Sequence, residues 1–434
     1  MLAACLAFFV AFSLILFQIP IATSLGLIGF TGYVALSGWT PALSMVATVT
    51  KDSTLVYSLI VLPLFVLMGN LVAGAGISGD LFRAAQAIVG RRRGGVAMAT
   101  VVACGSFGAI CGSSVATAAT MGKVAIPAMR QLGYADSLSA AAVAAGGTLG
   151  ILIPPSIIMV VYGVATQTHI GMLFAAGIIP GVIAILGYVA AVKWSVRRKP
   201  ELAPVAEKVE AQDIFGLVKS LWPVAVIFGV VMGGIYGGYF TSIEASGIGA
   251  SAAMVFALTH HSLRLKDIYA ILVDTAKTST MMFAIILGAA LFSELINQTG
   301  VHQALLHVVQ GSGLPPFGII LLMIVLYILL GSVLESLSMI LLTVPIFFPI
   351  IKQLGYDPVW FGILIVMVVE IGLIHPPIGV NLFVIRSVMP DIPMMSVVRG
   401  IIPFIVADLL RILLIAAVPA LSLWLPRLLF PNPS

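Results

Sequence analysis

Residues 146–156 read Gly146-Gly147-Thr148-Leu149-Gly150-Ile151-Leu152-Ile153-Pro154-Pro155-Ser156, an apolar stretch punctuated by three glycines and a proline pair. Two adjacent prolines remove two backbone donors and the glycines permit unwinding, so a helix running through this stretch is expected to break near its middle. The same features return 222 positions later, where Gly372 and Pro376-Pro377 correspond to Gly150 and Pro154-Pro155. Gln131-Leu132-Gly133-Tyr134 recurs at that offset as Gln353-Leu354-Gly355-Tyr356, and Pro127 as Pro349. Ile178-Ile179-Pro180 returns as Ile401-Ile402-Pro403 with one residue of slippage. Apolar composition alone scatters Gly and Leu; it does not repeat a tetrapeptide and a proline pair at one separation. The chain contains a duplicated unit.

Composition sets the solvent of that unit. Of 434 residues, 61% are hydrophobic and 9% charged, with a mean hydropathy of +1.17. Soluble domains carry about 45–50% apolar and about 25% charged residues, so a soluble enzyme of this size is excluded, and disorder with it. Apolar runs of bilayer length, about 17–25 residues, recur from end to end. They are continuous rather than alternating with period two, which excludes a transmembrane β-barrel. The excess of 21 Lys+Arg over 16 Asp+Glu is read as a cytoplasmic loop bias, with no nucleic-acid partner. Cys5, Cys104 and Cys111 lie in apolar sequence without metal-ligand spacing and are read as small core residues. Residues 1–20 lack a basic lead and a cleavage site and are read as the first membrane helix rather than a signal peptide.

Outward from the decisive stretch, the expected order is as follows. Spans cover about residues 1–17, 21–46 and 53–72. Residues 74–90, with Asp80, Arg83 and Gln86 three apart, form an amphipathic segment leading to Arg91-Arg92-Arg93. Residues 94–127 centre on Gly105-Ser106-Phe107-Gly108-Ala109-Ile110-Cys111-Gly112-Ser113-Ser114-Val115-Ala116-Thr117 and have cations at both ends, the arginine run and Arg130. Both ends are therefore cytoplasmic, and the segment is a re-entrant helical hairpin. Its small residues suit close packing against neighbouring helices. A broken helix (136–166), a span (171–194) ending at Arg197-Arg198-Lys199, and a hydrophilic linker (200–213) follow. Spans at 217–236 and 241–258 end at His260-His261, Arg264 and Lys266. A span at 279–296, a short segment at 300–309 and a second hairpin at 317–350 complete the repeat.

The expected division is scaffold and first arm (1–93), first repeat (94–199), linker (200–213), scaffold and second arm (214–314), second repeat (315–425) and tail (426–434). Counting crossings from cytoplasmic cations places residues 300–314 outside, so the second hairpin enters from the opposite face. Lys352 and Arg427 are the exceptions to the charge rule. The fold class is thus an all-α polytopic membrane protein with two inverted repeats, each holding a re-entrant hairpin and a broken helix. That is the construction of secondary transporters, whose sites form at the repeat interface.

The two hairpin tips and the two proline breaks are expected to converge. Free N–H groups at helix N-termini suit a carboxylate, giving a substrate set of Ser113, Thr117, Pro154, Pro155, Ser156, Pro376, Pro377 and Asn381, with Arg386 as a candidate cation. Hydroxyls and unwound carbonyls are hard ligands for Na⁺. One Na⁺ site would combine Ser113 and Ser114 with carbonyls near Gly147 and Gly150; a second would combine Ser332, Glu335 and Ser336 with carbonyls near Gly372 and His375. Intramembrane ionisable residues mark function: Glu335 suits Na⁺, a proton or a buried cation, and His375 a proton or a core hydrogen bond. Glu370 falls in the same broken pair. Glu244, Glu294, Asp408 and Arg411 lie in other apolar spans, as structural pairs or partner contacts. No Walker A loop, H-E-x-x-H motif or nucleophile elbow occurs, so the driving force is an ion gradient and the chain is not an enzyme.

Gly112-Ser113-Ser114-Val115-Ala116-Thr117, Ile126-Pro127-x-Met129 with Gly133-Tyr134, and Gly150-x-x-Ile153-Pro154-Pro155-Ser156 resemble the large membrane subunit of tripartite ATP-independent periplasmic (TRAP) transporters. Pro63-Leu64-Phe65-x-x-x-Gly69 and Phe174-Ala175-Ala176-Gly177-Ile178-Ile179-Pro180-Gly181 fit the same pattern over essentially the whole chain. Asn70 stands where the family usually has an acid. The resemblance implies a bacterial inner-membrane permease importing a carboxylate or sulfonate with Na⁺ by an elevator motion, with residues 74–90 and 300–309 as arms. It also implies a periplasmic substrate-binding protein and a small four-helix membrane subunit. No four-helix extension precedes residue 1, so that subunit is expected as a separate chain. A stand-alone divalent-anion/Na⁺ symporter and an anion channel are the alternatives.

Overall fold

The computed structural model describes residues 2–89, 92–204, 221–260, 263–311, 313–332 and 334–431. Arg91, residues 205–213 of the expected linker and His261 lie outside the described residues. Twenty α-helices and no strand occur among the described residues. The first ten are α1 (Leu2–Leu16), α2 (Ile21–Ser37), α3 (Trp39–Thr54), α4 (Val61–Gly74), α5 (Ile77–Val89), α6 (Gly95–Cys111), α7 (Ser114–Gln131), α8 (Asp136–Leu152), α9 (Ile157–Thr166) and α10 (Ile170–Arg198). After the linker come α11 (Trp222–Tyr236), α12 (Ser242–His260), α13 (Leu265–Gln298), α14 (Val301–Gly311) and α15 (Pro316–Gly331). The last are α16 (Ser336–Gln353), α17 (Pro358–Ile374), α18 (Val380–Val388), α19 (Met394–Ala417) and α20 (Ala420–Leu429). Among the described residues, six stretches are long and apolar enough to cross a membrane: Tyr57–Gly74, Ile170–Arg198, Ser242–Thr259, Leu265–Gln298, Ser336–Gln353 and Met394–Ala417.

The repeats appear as expected: α6–α7 and α15–α16 are the hairpins, α8–α9 and α17–α18 the broken helices, α10 and α19 the closing spans. The packing is reciprocal. The far half of each broken helix lies against the second arm of the other repeat's hairpin, α9 on α16 and α18 on α7. Tyr162 on α9 donates its hydroxyl to the Pro358 carbonyl at 2.7 Å, a further tie between repeats. At one end, Arg130 makes a two-pronged pair with Asp136 (2.6 and 3.0 Å) and also bonds Asp391 after α18. These carboxylates hold the guanidinium charged even more firmly than usual, and Arg130 holds the Asp391 carboxyl below the ordinary aspartate range.

Outside the repeats, α2 lies along α13 and α4 against α12. The α2–α13 contact is close because both helices present glycine: Gly29 faces the Leu291 backbone and Gly288 the Ala22 carbonyl. Helix α5 buries Leu81, Phe82, Ala84 and Ala85 on one face, as its amphipathic spacing predicts.

Three expectations about element limits are corrected. The span expected at 21–46 is two helices, because Gly38 adopts φ +89° and Pro41 follows in the first turn of α3. The span expected at 279–296 is the second half of the 34-residue α13, whose earlier half carries exposed Lys266, Asp267, Asp274 and Lys277. That helix starts early because the Asp267 carboxylate accepts the Arg264 amide at 3.0 Å. The first broken helix does not unwind at Gly146, Gly147 or Gly150; α8 continues to Leu152 and the break is at residues 153–156.

Candidate functional site

Each hairpin turns through a few residues, and each turn is built around a helix N-cap. At the first tip, Gly112 takes the left-handed conformation (φ +63°) and Ser113 caps α7, its Oγ accepting the Ala116 amide at 3.3 Å. Thr117 donates to the Ser113 carbonyl at 2.7 Å. At the second tip, Glu335 caps α16 and accepts from the amides of Leu337 (3.1 Å) and Ser338 (3.4 Å). Glu335 is the 222-residue counterpart of Ser113. The repeats therefore place a neutral hydroxyl and a carboxylate at equivalent caps, and a helix N-terminus stabilises the negative one.

Behind each tip, two glycines bring backbones together. Gly108 of α6 faces Gly150 of α8, and Gly331 of α15 faces Gly372 of α17. A methyl on Gly372 would lie 2.6 Å from the Gly331 carbonyl carbon, and one on Gly150 2.9 Å from the Ser113 carbonyl oxygen. Gly147 meets Ala118 in the same way. These glycines serve close packing within intact helices.

Buried Asn381, at the start of α18, reaches across the repeats: its Nδ2 donates to Ser114 Oγ at 2.8 Å and to the Ala144 carbonyl at 3.0 Å. Its Oδ1 is buried without a hydrogen-bond partner. Ser156 caps α9 and donates to the Ile151 carbonyl at 2.5 Å, beside the buried Pro154-Pro155 pair. In the second repeat Ser332 donates to the Leu329 carbonyl, Ser336 is buried, and His375 ends α17 with Nδ1 unpartnered. Pro376 is half-buried and Pro377 exposed, so the two proline pairs are not equally enclosed. Arg386 is exposed on the last turn of α18.

Both tips open on one cavity of about 880 Å³. Cys111, Ser113 and Ala116 line it from the first tip, Ile157 from α9, and Glu335 and Leu337 from the second tip. The opposite wall is scaffold: Gln18 and Thr23 around the α1–α2 turn, Asn70 on α4, and Thr278 and Met282 on α13. Of the expected site residues, this cavity brings together Ser113 and Glu335. The first-repeat residues Ser114, Thr117, Gly147, Gly150, Pro154, Pro155 and Ser156 do not line it, nor do Ser332, Ser336, Gly372, His375, Pro376, Pro377, Asn381 and Arg386 of the second repeat. A second hollow of about 890 Å³, around Thr168, His169 and Phe240, touches neither tip.

The ionisable residues divide clearly. Glu244 caps its own helix, accepting from the Thr241 amide at 2.8 Å, and Glu294 is exposed. Glu370, Asp408 and Arg411 are buried together: Arg411 Nη2 lies 2.7 Å from Glu370 Oε2 and 2.7 Å from Asp408 Oδ1. Tyr188 donates to Asp408 at 2.6 Å, and Thr148 lies 3.1 Å from the Tyr188 hydroxyl.

The family described as the DctM component of the tripartite ATP-independent periplasmic transporter matches residues 8–421. The chain belongs to this DctM family. It is 37% identical over 373 residues to the C4-dicarboxylate TRAP transporter large permease protein DctM of Pseudomonas aeruginosa, covering 86% of each chain. It is 33% identical to the isethionate TRAP transporter permease protein DctMQ of Oleidesulfovibrio alaskensis, covering 94% of this chain and 64% of that one. In fold it is similar to the YdaH transporter of Alcanivorax borkumensis, with a TM-score of 0.54 and 16% identity over 84% of this chain and 85% of that one. As a DctM protein it is the large permease of a TRAP secondary transporter, a multi-pass protein of the bacterial inner membrane and not an enzyme. The stand-alone symporter and channel readings give way to this.

In this DctM chain, sequence reasoning noticed Asn70 only as a departure from a motif. The structure gives it a position: Nδ2 donates to Thr275 Oγ1 on α13 at 3.0 Å, and the residue faces the cavity. Thr278 and Gln18 were not anticipated as lining residues; Thr278 lies in sequence without local punctuation, Gln18 beside Pro20 marks only a turn, and only the tertiary fold puts either opposite the tips.

Proposed function

We propose that this permease imports a small organic anion with Na⁺ by moving its two repeats as a body against the scaffold. The observation that carries the reading is the shared cavity: Ser113 and Glu335 face it from one side, and Asn70 and Thr278 from the other. A body that slides along that wall carries whatever is bound at the tips from one membrane face to the other. The amphipathic helices α5 and α14 are the arms of this motion.

The donor sets fit a hard cation. Behind the first tip, Ser114, Thr117 and the Ser113 carbonyl supply oxygens, and Asn381 Oδ1 is a buried acceptor with no partner. At the second tip Glu335 supplies the negative charge a desolvated Na⁺ needs. When bound, Na⁺ would place positive charge beside the tips, where an anionic solute is held by helix N-termini.

The relatives handle a C4-dicarboxylate and isethionate, which supports an acid as the solute class. A periplasmic binding protein would deliver it, and a small membrane subunit on a separate chain would complete the transporter. The test is uptake into proteoliposomes holding both membrane subunits and the cognate binding protein. Uptake is expected to need an inward Na⁺ gradient and the binding protein. Replacing Ser113 and Ser114 by Ala is expected to raise the Na⁺ concentration for half-maximal uptake. Equal uptake without Na⁺ would overturn the coupling.

A further inference from the structure

Helices α10 and α19 leave a groove between them on the outer side of the repeats. It has a volume of about 690 Å³, with walls from Leu186, Trp194, Val406 and Leu410. Its floor is made of small residues, Gly187, Ala190 and Ala407, whose short side chains let the two helices meet closely and leave an open groove above the contact; Arg411 also borders it, turned inward to Glu370 and Asp408. Leu186, Val406 and Leu410 are each at least half exposed.

One end of the groove is different in kind. It opens into a hollow of about 680 Å³ that carries Arg198, Lys199 and Arg399. The two spaces share Trp194, Ile402 and Pro403, so they are continuous. The Arg198 guanidinium stands 4.5 Å over the Trp194 ring, at the level where an amphipathic aromatic marks a membrane interface. No carboxylate lines this mouth among the described residues. The basic run 197–199 assigns it to the cytoplasmic face.

We propose that this groove is a binding site for one anionic glycerophospholipid of the inner leaflet. The phosphate would sit among Arg198, Lys199 and Arg399, and one acyl chain would lie along the apolar track. Two observations carry the assignment. Three cations meet at one end of a channel whose remaining lining is apolar apart from Arg411, which is buried and paired with Glu370 and Asp408; that is the charge pattern of an anionic headgroup joined to a hydrocarbon tail. The track also has leaflet length: Ile402 to Leu414 spans about 18 Å at 1.5 Å per residue, against about 15 Å for half a bilayer core. A zwitterionic lipid would bring its own cation to a mouth that already holds three.

Native mass spectrometry of the full chain, delipidated and titrated with phosphatidylglycerol or phosphatidylcholine, tests the proposal. The wild type is expected to retain phosphatidylglycerol preferentially. The preference should fall about fivefold for each cation removed in the series Arg198→Gln, Lys199→Gln and Arg399→Gln. Ala190→Trp, which fills the track, should lower retention of both lipids. Unchanged helical circular dichroism and a single elution peak show that each variant is folded. Two outcomes would overturn the site: a folded triple variant that keeps its phosphatidylglycerol preference, or efficient cross-linking of Trp194→Cys to the small membrane subunit in the assembled transporter, which would mean protein covers this face.

Discussion

His169 shows how one side chain can set a pH dependence at the end of a membrane helix. It caps α10, with Nδ1 accepting the Met172 amide at 3.2 Å. An accepting nitrogen is unprotonated, so the bond assigns the Nε2–H tautomer. Partial burial, with Phe430 against the ring, holds its pKa below the ordinary histidine value. Folding thus favours the neutral ring. The stabilisation is complete above about pH 6.5, the unfolded value, and is lost as pH falls through the lowered folded value. Asn also caps helices and does not titrate, so wild type should lose thermal stability relative to His169→Asn as pH falls from about 6.5 through the lowered folded value; parallel melting curves would remove His169 from the account. Asn381 makes a second case. Asn381→Leu deletes both donated bonds, and the melting midpoint should fall by the equivalent of about 1–3 kcal/mol. The sequence marked this residue as polar and close to a break. It did not tell that the amide meets Ser114, 267 positions away, because no local periodicity encodes which buried donor finds which hydroxyl.

At the scale of the element, the duplication carried most of what was legible. Matched prolines and a matched tetrapeptide located both hairpins and both broken helices, since a break forced by missing donors is a local property. Glycine was less informative, because it permits either unwinding or close approach, and the partner decides. Gly146, Gly147 and Gly150 stay helical because the first hairpin lies against them, and Gly38, with open space around it, turns the chain. The scaffold was harder to delimit for a related reason: the early half of α13 is charged and exposed, and apolar run length does not see it. The packing role of glycine makes a direct prediction. Gly372→Val must push the second hairpin off α17, since its Cβ would lie 2.6 Å from the Gly331 carbonyl oxygen. Uptake should be lost and the melting midpoint lowered, with Gly247→Ala, whose Cβ would meet nothing within 4 Å, as the silent control. Normal uptake by Gly372→Val would show that the second hairpin tolerates separation.

Across the whole molecule, the two repeats meet in a polar core of unequal halves. Thr148 and Glu370 are 222 positions apart, and Tyr188 and Arg411 are 223 apart, so each pair occupies equivalent places in the two repeats. The first repeat contributes hydroxyls and the second contributes charges, together with Asp408. Thr148, Tyr188, Glu370 and Arg411 come from α8, α10, α17 and α19, so the network joins both broken helices to both closing spans. All its side chains are buried, in a region where water does not screen them. One guanidinium faces two carboxylates there, and removing it leaves both without a countercharge. Arg411→Met should therefore cost about 3–5 kcal/mol, whereas replacing Glu370, Asp408 and Arg411 together by leucine removes the charges with their desolvation cost and should be far milder. Tyr188→Phe, which deletes the bonds to Asp408 and Thr148 but leaves the charges paired, should fall between them at about 1–3 kcal/mol. Melting midpoints of the four proteins in one detergent rank these effects. If Arg411→Met proves no less stable than the triple leucine variant, the buried charges are not what holds the repeats together, and apolar packing between α10 and α19 must do so instead.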